Sequence, residues 1–183
     1  MTEPNGNSGH NIREAVYEDR AIFLRLWASY LSDQHKNGSM TLDTNRNLIN
    51  FRSYFDAYTL GDLDGFILLW TPPESEDPQG VVMAGEDTGG SKWWDVAHEK
   101  TAILWGVYVD PEYRGKGIGL QLEFAALPVG LRIGFTHVET MVRTVNEHGS
   151  DMAFGFGTAP YATMHIADLR EVQTALNKEK TSC

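Results

Sequence analysis

Apolar residues recur every three or four positions in two early stretches of the chain. This spacing places them on one side of a helix, so it predicts amphipathic helices over residues 21–31 and 43–58. A short apolar run before them predicts a strand over residues 10–17. The acids Glu18 and Asp19 follow this run, where the start of a helix favours negative charge.

After Gly65 the pattern changes to short runs that are continuously apolar or alternate with polar residues. Such runs are typical of strands, which we predict over residues 66–70, 80–85 and 102–109. Prolines follow the first and the third of these, where the strand ladder has to end.

Helical spacing returns over residues 117–127, and Pro128 is expected to kink or end that helix. Strict alternation over residues 137–145 predicts another strand. A last strand over residues 162–169 and a helix over residues 170–178 complete the chain. Because several strands follow one another before helices alternate with them, the order predicts an α+β fold with a mixed sheet.

Length and composition fit a globular protein. The chain has 183 residues, of which 42% are hydrophobic and 22% charged, and no apolar run approaches the roughly 20 residues of a membrane helix. The polar residues 1–9 are expected to form a disordered leader without the features of a signal peptide. Residues 10–183 are expected to form a single domain.

The net charge of -10 makes nucleic acid an unfavourable partner, because an acidic surface repels phosphate backbones. The same charge weakly favours cationic substrates, although acidity also simply improves solubility. Cys183 is the only cysteine, so no internal disulfide forms, which is consistent with a cytoplasmic location. The histidines show no metal-ligand spacing, and we predict no metal.

The chemically informative segment follows the strand over residues 102–109 and precedes a helix. It reads Arg114-Gly115-Lys116-Gly117-Ile118-Gly119. Glycines let the backbone approach a ligand closely, and the first amides of a helix have no partner within it and favour an anion. With two basic residues beside these amides, the segment predicts a phosphate or pyrophosphate site. A helix entry with incidental glycines is the alternative.

Two well-known phosphate loops do not fit this segment. A Walker A loop has four residues between its glycines and a hydroxyl residue after its lysine, and neither is present. The dinucleotide fingerprint has Gly-x-Gly-x-x-Gly early in the chain, whereas Gly115 to Gly119 is Gly-x-Gly-x-Gly and lies late. A nucleotide or another phosphate ligand remains an open alternative at this point.

The run from Val107 to Gly119, with Asp110-Pro111-Glu112 before the glycines, resembles the acyl-CoA signature of the GCN5-related N-acetyltransferase (GNAT) superfamily. The resemblance implies an α/β/α layered fold whose mixed, mostly antiparallel sheet has a splayed strand pair. It implies transfer of an acetyl or other acyl group from acetyl-CoA to a primary amine of a small molecule or protein, by direct attack in a ternary complex. The expected assembly is a monomer or homodimer.

The resemblance also implies residue roles. Backbone groups of Val107, Tyr108 and Val109 are expected to bind the pantetheine arm, and the backbone amides of residues 114–119 the pyrophosphate. Asn146 is expected to contact the cofactor or a nearby water.

Catalysis is expected to use residues outside this turn. Family bases often lie near the start of the signature strand, where Glu99 is the candidate and Glu86 the second choice. The tyrosine that usually protonates the leaving thiolate is absent from residues 149–154, so Tyr161 is the candidate acid. Its absence also leaves open a non-catalytic acyl-CoA-binding sensor or interaction module. Three tryptophans are candidates to line an acceptor pocket or to belong to the core: Trp93, Trp94 and Trp105.

Overall fold

The computed structural model describes residues 11–36, 44–86 and 100–140. Its strands are β1 (Ile12–Glu14), β2 (Gly65–Trp70), β3 (Gly80–Gly85), β4 (Thr101–Val109) and β5 (His137–Thr140). Its helices are α1 (Arg20–Lys36), α2 (Thr44–Leu60) and α3 (Ile118–Ile133), with short 3-10 turns at Tyr17–Asp19 and Pro111–Tyr113.

The five strands form one sheet in the order β1-β2-β3-β4-β5. The first four strands pair antiparallel, and β5 pairs parallel to β4, from Thr101 opposite His137 to Leu104 opposite Thr140. Helix α3 makes the connection between these parallel strands, as a parallel pair requires. The predicted α+β fold with a mixed, mostly antiparallel sheet is therefore confirmed.

Helices cover the sheet from both sides. On one side, which we call the α1/α2 face, the buried side chains of Phe23 and Trp27 from α1 and Phe55 from α2 pack against alternate residues of β2 and β3. On the opposite side, the α3 face, Ile118, Leu122 and Val129 pack against the residues in between. The alternation of strand side chains thus supplies one core to each helical layer.

Pro128 is predicted to kink or end α3, and the predicted end is wrong, because the helix continues to Ile133. A proline inside a helix costs about 3 kcal/mol, but Val129 and Ile133 beyond it pack into the core of the α3 face, and their burial offsets that cost. The helix ends at Gly134, whose φ of 96° is left-handed. Its amide and that of Phe135 bond back to the carbonyls of Leu131 and Gly130, which is a Schellman ending.

Other boundaries differ modestly from the predictions. The first strand is confined to Ile12–Glu14, and α1 extends to Lys36 rather than to residue 31. The predicted leader, the end of the strand over residues 137–145 with its splay, and the last strand and helix lie outside the described residues.

Candidate active site

The turn between β4 and α3 has an unusual backbone. Asp110 begins it by accepting a hydrogen bond from the amide of Glu112 (3.2 Å). Gly115 and Gly117 then adopt φ values of 75° and 74°, a left-handed conformation that costs other residues roughly 1–2 kcal/mol. The sequence therefore needs glycine here to turn the chain directly into the first turn of α3.

The start of α3 leaves amides available to a ligand. The first bond of the helix runs from the amide of Gln121 to the carbonyl of Gly117 (3.1 Å), so the preceding amides have no partner within the helix. No side chain caps this end. Because the helix dipole adds partial positive charge, the predicted turn has the geometry of an anion site.

The side chain of Arg114 is engaged in hydrogen bonds within the protein. Its Nε donates to the carbonyl of Val109 (2.7 Å), and its Nη2 donates to Asp33 of α1 (2.5 Å). Its guanidinium also lies 5.3 Å from the centre of the Tyr108 ring. Arg114 thus ties the turn to β4 and α1, and the ammonium of Lys116, over the ring of Tyr113, is the cation nearer the glycines.

Strand β4 is less buried along its middle than its neighbour β3, although it lies inside the sheet between β3 and β5. All six residues of β3 are buried, whereas the five central residues of β4, from Ile103 to Val107, are half-buried. The side chains of Tyr108 and Val109 are buried, so the predicted contacts of these two residues with a cofactor would have to use their backbone.

A β-bulge interrupts β4 at Trp105. Met83 pairs with Gly106 and its neighbour Ala84 pairs with Leu104, which leaves Trp105 as the extra residue. Trp105 packs against the core of the α1/α2 face, and a Cβ on Gly106 would lie 2.7 Å from the Tyr30 ring on the same side. The bulge therefore directs two consecutive residues towards α1 and α2, as bulges near active sites often do.

Hydrogen bonds donated by aromatic side chains stabilise this bulge. The Tyr30 hydroxyl donates to the carbonyl of Trp105 (3.3 Å), and the Trp105 indole donates to the Tyr58 hydroxyl (3.3 Å). The Tyr58 hydroxyl in turn donates to the carbonyl of Glu86 (3.0 Å). The rings of Tyr54 and Phe51 lie 5.2 and 5.9 Å from that of Trp105. Trp105 is thus part of a packed aromatic cluster.

Sequence reasoning missed the bulge and the two tyrosines. The available signal was Gly106, since a glycine inside a strand pattern often marks a bulge or a close approach. Tyr30 and Tyr58 gave no comparable signal, because they lie on helices far from Trp105 in the sequence.

A cleft of roughly 360 Å³ opens between the second half of α1 and the end of β4. Its polar lining comes from one side of α1, which contributes two hydroxyls, one acid and one amine: Ser29, Ser32, Asp33 and Lys36. Tyr108 and Pro111 line the opposite side. The cleft therefore adjoins the strand and the turn predicted to bind the cofactor.

The predicted catalytic residues Glu99 and Tyr161 lie outside the described residues, as do Asn146, Trp93 and Trp94. Glu86, the second choice of base, follows β3 directly, and its amide donates to the carbonyl of Asp64 (2.8 Å). In the described ranges no group of three or more His, Cys, Asp or Glu residues is arranged to hold a metal. The described helices lack the combined length and apolar character needed to cross a bilayer.

Helix α3 contains one buried acid, Glu123. Glu123 has a carboxylate oxygen without a hydrogen-bond partner, and burial raises the pKa of this side chain from 4.5 to about 7. Burial penalises the charged form, so the acid holds its proton at mildly acidic pH.

A family model described as the acetyltransferase (GNAT) family matches residues 21–156. No curated protein matches the chain in sequence. Among solved structures, a tetramutant of the BH1408 protein from Bacillus halodurans is 21% identical, with a TM-score of 0.62 over 86% of this chain and 99% of that one.

Two aminoglycoside acetyltransferases have a similar fold. AAC(6')-Iy, solved in complex with CoA, is 14% identical, with a TM-score of 0.61 over 86% of this chain and 98% of that one. A metagenomic enzyme in complex with sisomicin, from an uncultured soil sample, is 15% identical, with a TM-score of 0.60 over 86% and 93% of the two chains. These likenesses show the fold. The family model covers well over half of the chain, so the protein belongs to the acetyltransferase (GNAT) family, whose members transfer acyl groups.

Proposed function

We propose that the protein is an N-acetyltransferase that transfers an acetyl group from acetyl-CoA to a primary amine within a ternary complex. The observation that carries this proposal is the turn before α3, where two left-handed glycines precede helix amides that have no partner in the helix. Such amides suit the pyrophosphate of CoA, and the turn follows directly on a strand whose middle is half-buried.

Binding of acetyl-CoA would use the backbone rather than charged side chains. The amides of residues 115–119 would hold the pyrophosphate, with Lys116 adding charge. The amide of Arg114, also predicted from the sequence to bind it, donates to the carbonyl of Pro111 (3.3 Å). The half-buried middle of β4 and the backbone of Val107, Tyr108 and Val109 would hold the pantetheine arm. Asn146 is proposed as a further contact with the cofactor.

The chemical step needs a neutral amine. A base, for which we propose Glu99, would remove the proton of the bound ammonium, and the nitrogen would attack the thioester carbonyl. A strand amide near Val107 would stabilise the oxyanion. The C–N bond forms and the C–S bond breaks as the intermediate collapses. Tyr161 would donate a proton to the leaving sulfur, and the nitrogen would release its second proton to the tyrosinate so formed.

We propose that the acceptor binds on the α1/α2 face, in or beside the cleft along α1. The hydroxyls of Ser29 and Ser32 line that cleft and suit a polar molecule, while Asp33 is already paired with Arg114 and Lys36. The net charge of -10 favours the approach of a cationic molecule over long distances. Two enzymes of similar fold are aminoglycoside acetyltransferases, which supports a small polyamine as the first acceptor to test.

The proposal is tested by measuring free thiol release from acetyl-CoA with a panel of small amines and amine-bearing peptides. We expect release that depends on the amine, with N-acetylated product in equal amount by mass spectrometry. Desulfo-CoA should compete with acetyl-CoA, and ATP should not. Tight CoA binding without release across the whole panel would contradict the proposal and favour an acyl-CoA-binding module. Competition by ATP alone would favour a nucleotide site.

A further inference from the structure

The β-bulge of β4 decides to which edge of the strand the later backbone groups point. In a regular strand, the amide and carbonyl of one residue point to one edge and those of the next residue point to the other. Directly after β3, the amide of Glu86 bonds to the carbonyl of Asp64, which precedes β2. The backbone groups of Gly85, one residue earlier, therefore point to β4. Gly85 lies opposite Ile103, so before the bulge the backbone groups of Ile103 point to β3.

After the bulge this order is reversed. The amide of Asp110 bonds to the carbonyl of Gln79, which precedes β3 (2.8 Å). Alternation therefore directs the backbone groups of Gly106, four residues earlier, to β3 as well. The amide of Val107, the next residue, points to the opposite edge of β4, towards β5. If alternation had continued unbroken from Ile103, the amide of Val107 would point to β3.

The edge to which the amide of Val107 points is the edge along which the pantetheine arm is proposed to lie. Among the described residues, β5 pairs with β4 as far as Leu104, so Val107 lies beyond that pairing. The glycine turn follows at the end of the same strand. The amide of Val107 can therefore donate to the thioester carbonyl of acetyl-CoA as negative charge develops there.

One side chain of α1 bonds to the peptide group at the centre of the bulge. The hydroxyl of Tyr30 donates to the carbonyl of Trp105 (3.3 Å). In a trans peptide the C=O and the following N–H point in opposite directions, so this carbonyl points away from β3 whereas the amide of Gly106 points towards it. A bulge takes backbone groups out of the ladder, and such groups need another partner. Tyr30 supplies that partner to the carbonyl of Trp105.

The position of Tyr30 is itself restricted by its surroundings. Its ring lies 4.9 Å from the ring of Trp27, which is fully buried. A Cβ on Gly106 would lie 2.7 Å from its hydroxyl, so the hydroxyl occupies the space that another side chain would need. The indole of Trp105 bonds separately to the hydroxyl of Tyr58. The two tyrosines thus act on different parts of one residue, Tyr30 on its carbonyl and Tyr58 on its side chain.

We propose that Tyr30 is a positioning residue for acyl transfer. Its hydrogen bond to the carbonyl of Trp105 maintains the bulge, and the bulge keeps the amide of Val107 directed at the thioester carbonyl. This role rests on the proposed function, in which a strand amide stabilises the oxyanion. Tyr30 acts through the backbone and does not touch the reacting atoms. Loss of its hydroxyl should therefore lower kcat and leave the affinity for acetyl-CoA largely unchanged.

Selective isotope labelling isolates the amide of Val107 for NMR. The chain contains two Gly-Val pairs, Gly80-Val81 and Gly106-Val107, so labelling glycine carbonyl carbons and valine nitrogens gives two amide signals. Acetyl-CoA should move the amide proton of Val107 to higher frequency than CoA does, because only acetyl-CoA carries the thioester carbonyl. Val81 lies on β3 opposite Tyr108 and should give the same signal with both ligands.

Tyr30→Phe keeps the ring and removes the hydroxyl. Without cofactor, the carbonyl carbon of Trp105 should move to lower frequency as its hydrogen bond is lost, and Trp105-Gly106 is the only Trp-Gly pair of the chain. With cofactor, the difference between acetyl-CoA and CoA at Val107 should disappear. The kcat should fall about tenfold, because a misdirected oxyanion donor costs less than a deleted one, which costs about 100-fold or more. The KM for acetyl-CoA should change less than about twofold.

Tyr58→Phe is the matched control, because it removes the hydroxyl that accepts from the Trp105 indole and leaves the bond to the carbonyl in place. It should keep the response of Val107 to acetyl-CoA. An equal loss of this response in both variants, or an unchanged response in Tyr30→Phe, would overturn the proposal.

Isothermal titration calorimetry of the wild type separates the failure of this role from the failure of the proposed function. Acetyl-CoA that binds and leaves the amide of Val107 unmoved would contradict the role of Tyr30 alone. Absence of acetyl-CoA binding would contradict the proposed function and the role of Tyr30 with it.

Discussion

The two faces of the sheet carry cores of different kinds. On the α1/α2 face, aromatic rings from both helices surround Trp105, and their polar atoms bond to one another and to the backbone. On the α3 face, the one helix within the described residues covers mostly aliphatic side chains, together with the rings of Phe66 and Trp70. The candidate site draws on both, since the turn begins α3 and the bulge of β4 packs towards α1 and α2.

The difference shows two ways of shaping a site. The turn is made by the backbone conformation of a few consecutive residues, so its binding capacity is local. The bulge depends on side chains that reach it from α1 and α2, so its shape is a property of the whole core. Among the described residues, each face also buries one side-chain polar atom without a hydrogen-bond partner, the indole nitrogen of Trp27 and a carboxylate oxygen of Glu123. Only Glu123 can ionise.

The largest effect is expected at the turn. Gly117→Val forces a β-branched residue into a left-handed conformation and displaces the helix amides. Losing two charge-assisted hydrogen bonds, at about 1.5 kcal/mol each, would weaken acetyl-CoA binding more than about 100-fold. Isothermal titration calorimetry measures this loss.

Gly61→Val is the matched control for Gly117→Val. Gly61 has a φ of 77° and open space around it, as Gly117 does, but it follows α2. Urea unfolding should show a similar loss of stability in both variants, with CoA affinity reduced only in the first. A folded Gly117→Val protein that binds CoA normally would refute the assignment of the turn.

A smaller effect is expected at the bulge. In Gly106→Ala the new Cβ would lie 2.7 Å from the Tyr30 ring, so either the strand or the ring has to move. Overpacking of this kind costs about 1–3 kcal/mol in the free energy of unfolding, measured with urea. We also expect a lower kcat, because the carbonyl of Trp105 loses its bond to Tyr30.

A double-mutant cycle isolates that contact. In a Tyr30→Ala background the same Gly106→Ala change should cost less than about 0.5 kcal/mol, because the ring is gone. Gly80→Ala serves as a control on the adjacent strand, where the nearest atoms lie at 3.3 Å. Equal costs of Gly106→Ala with and without the ring would show that Tyr30 is not the reason for the glycine.

The smallest effect concerns the pH dependence of stability on the α3 face. The raised pKa of Glu123, about 7 instead of 4.5, means that the folded protein keeps a proton that the unfolded chain releases. Stability should therefore fall as the pH rises from about 4.5 to about 7 and level off above it. Glu123→Gln removes this titration. Its gain in stability over the wild type should therefore be roughly 1–2 kcal/mol larger at pH 8 than at pH 5.

Urea unfolding of the wild type and Glu123→Gln at both pH values measures this difference. Trp27→Phe removes the unpartnered group of the other face, and its effect on stability should be independent of pH. A difference between wild type and Glu123→Gln that is the same at both pH values would show that Glu123 does not titrate in this window.

The sequence allowed the turn to be predicted because its information is local. Gly115, Gly117 and the helix after them lie within a few residues, and the conformations they adopt follow from the absence of a side chain. The main strands and helices were predictable for the same reason, from the period of apolar residues.

The bulge and the end of α3 needed information from distant parts of the chain. Tyr30 lies 75 residues before Trp105, and nothing in the local pattern of either residue signals their contact. Pro128 has a strong local preference that packing beyond it overrides. Local rules failed where tertiary contacts decide the conformation.

The bulge at Trp105 also changes the face of the sheet to which each later side chain of β4 points. Regular alternation from Leu104 would turn Tyr108 towards α3 and Val109 towards α1, whereas the extra residue reverses both, and they join the opposite cores. The chain consequently leaves β4 with Val109 facing the α3 side, on which the helix then packs. A single inserted residue thus decides which face of the sheet the end of the strand presents to each helical layer, and removing it would turn Val107, Tyr108 and Val109 to the opposite faces.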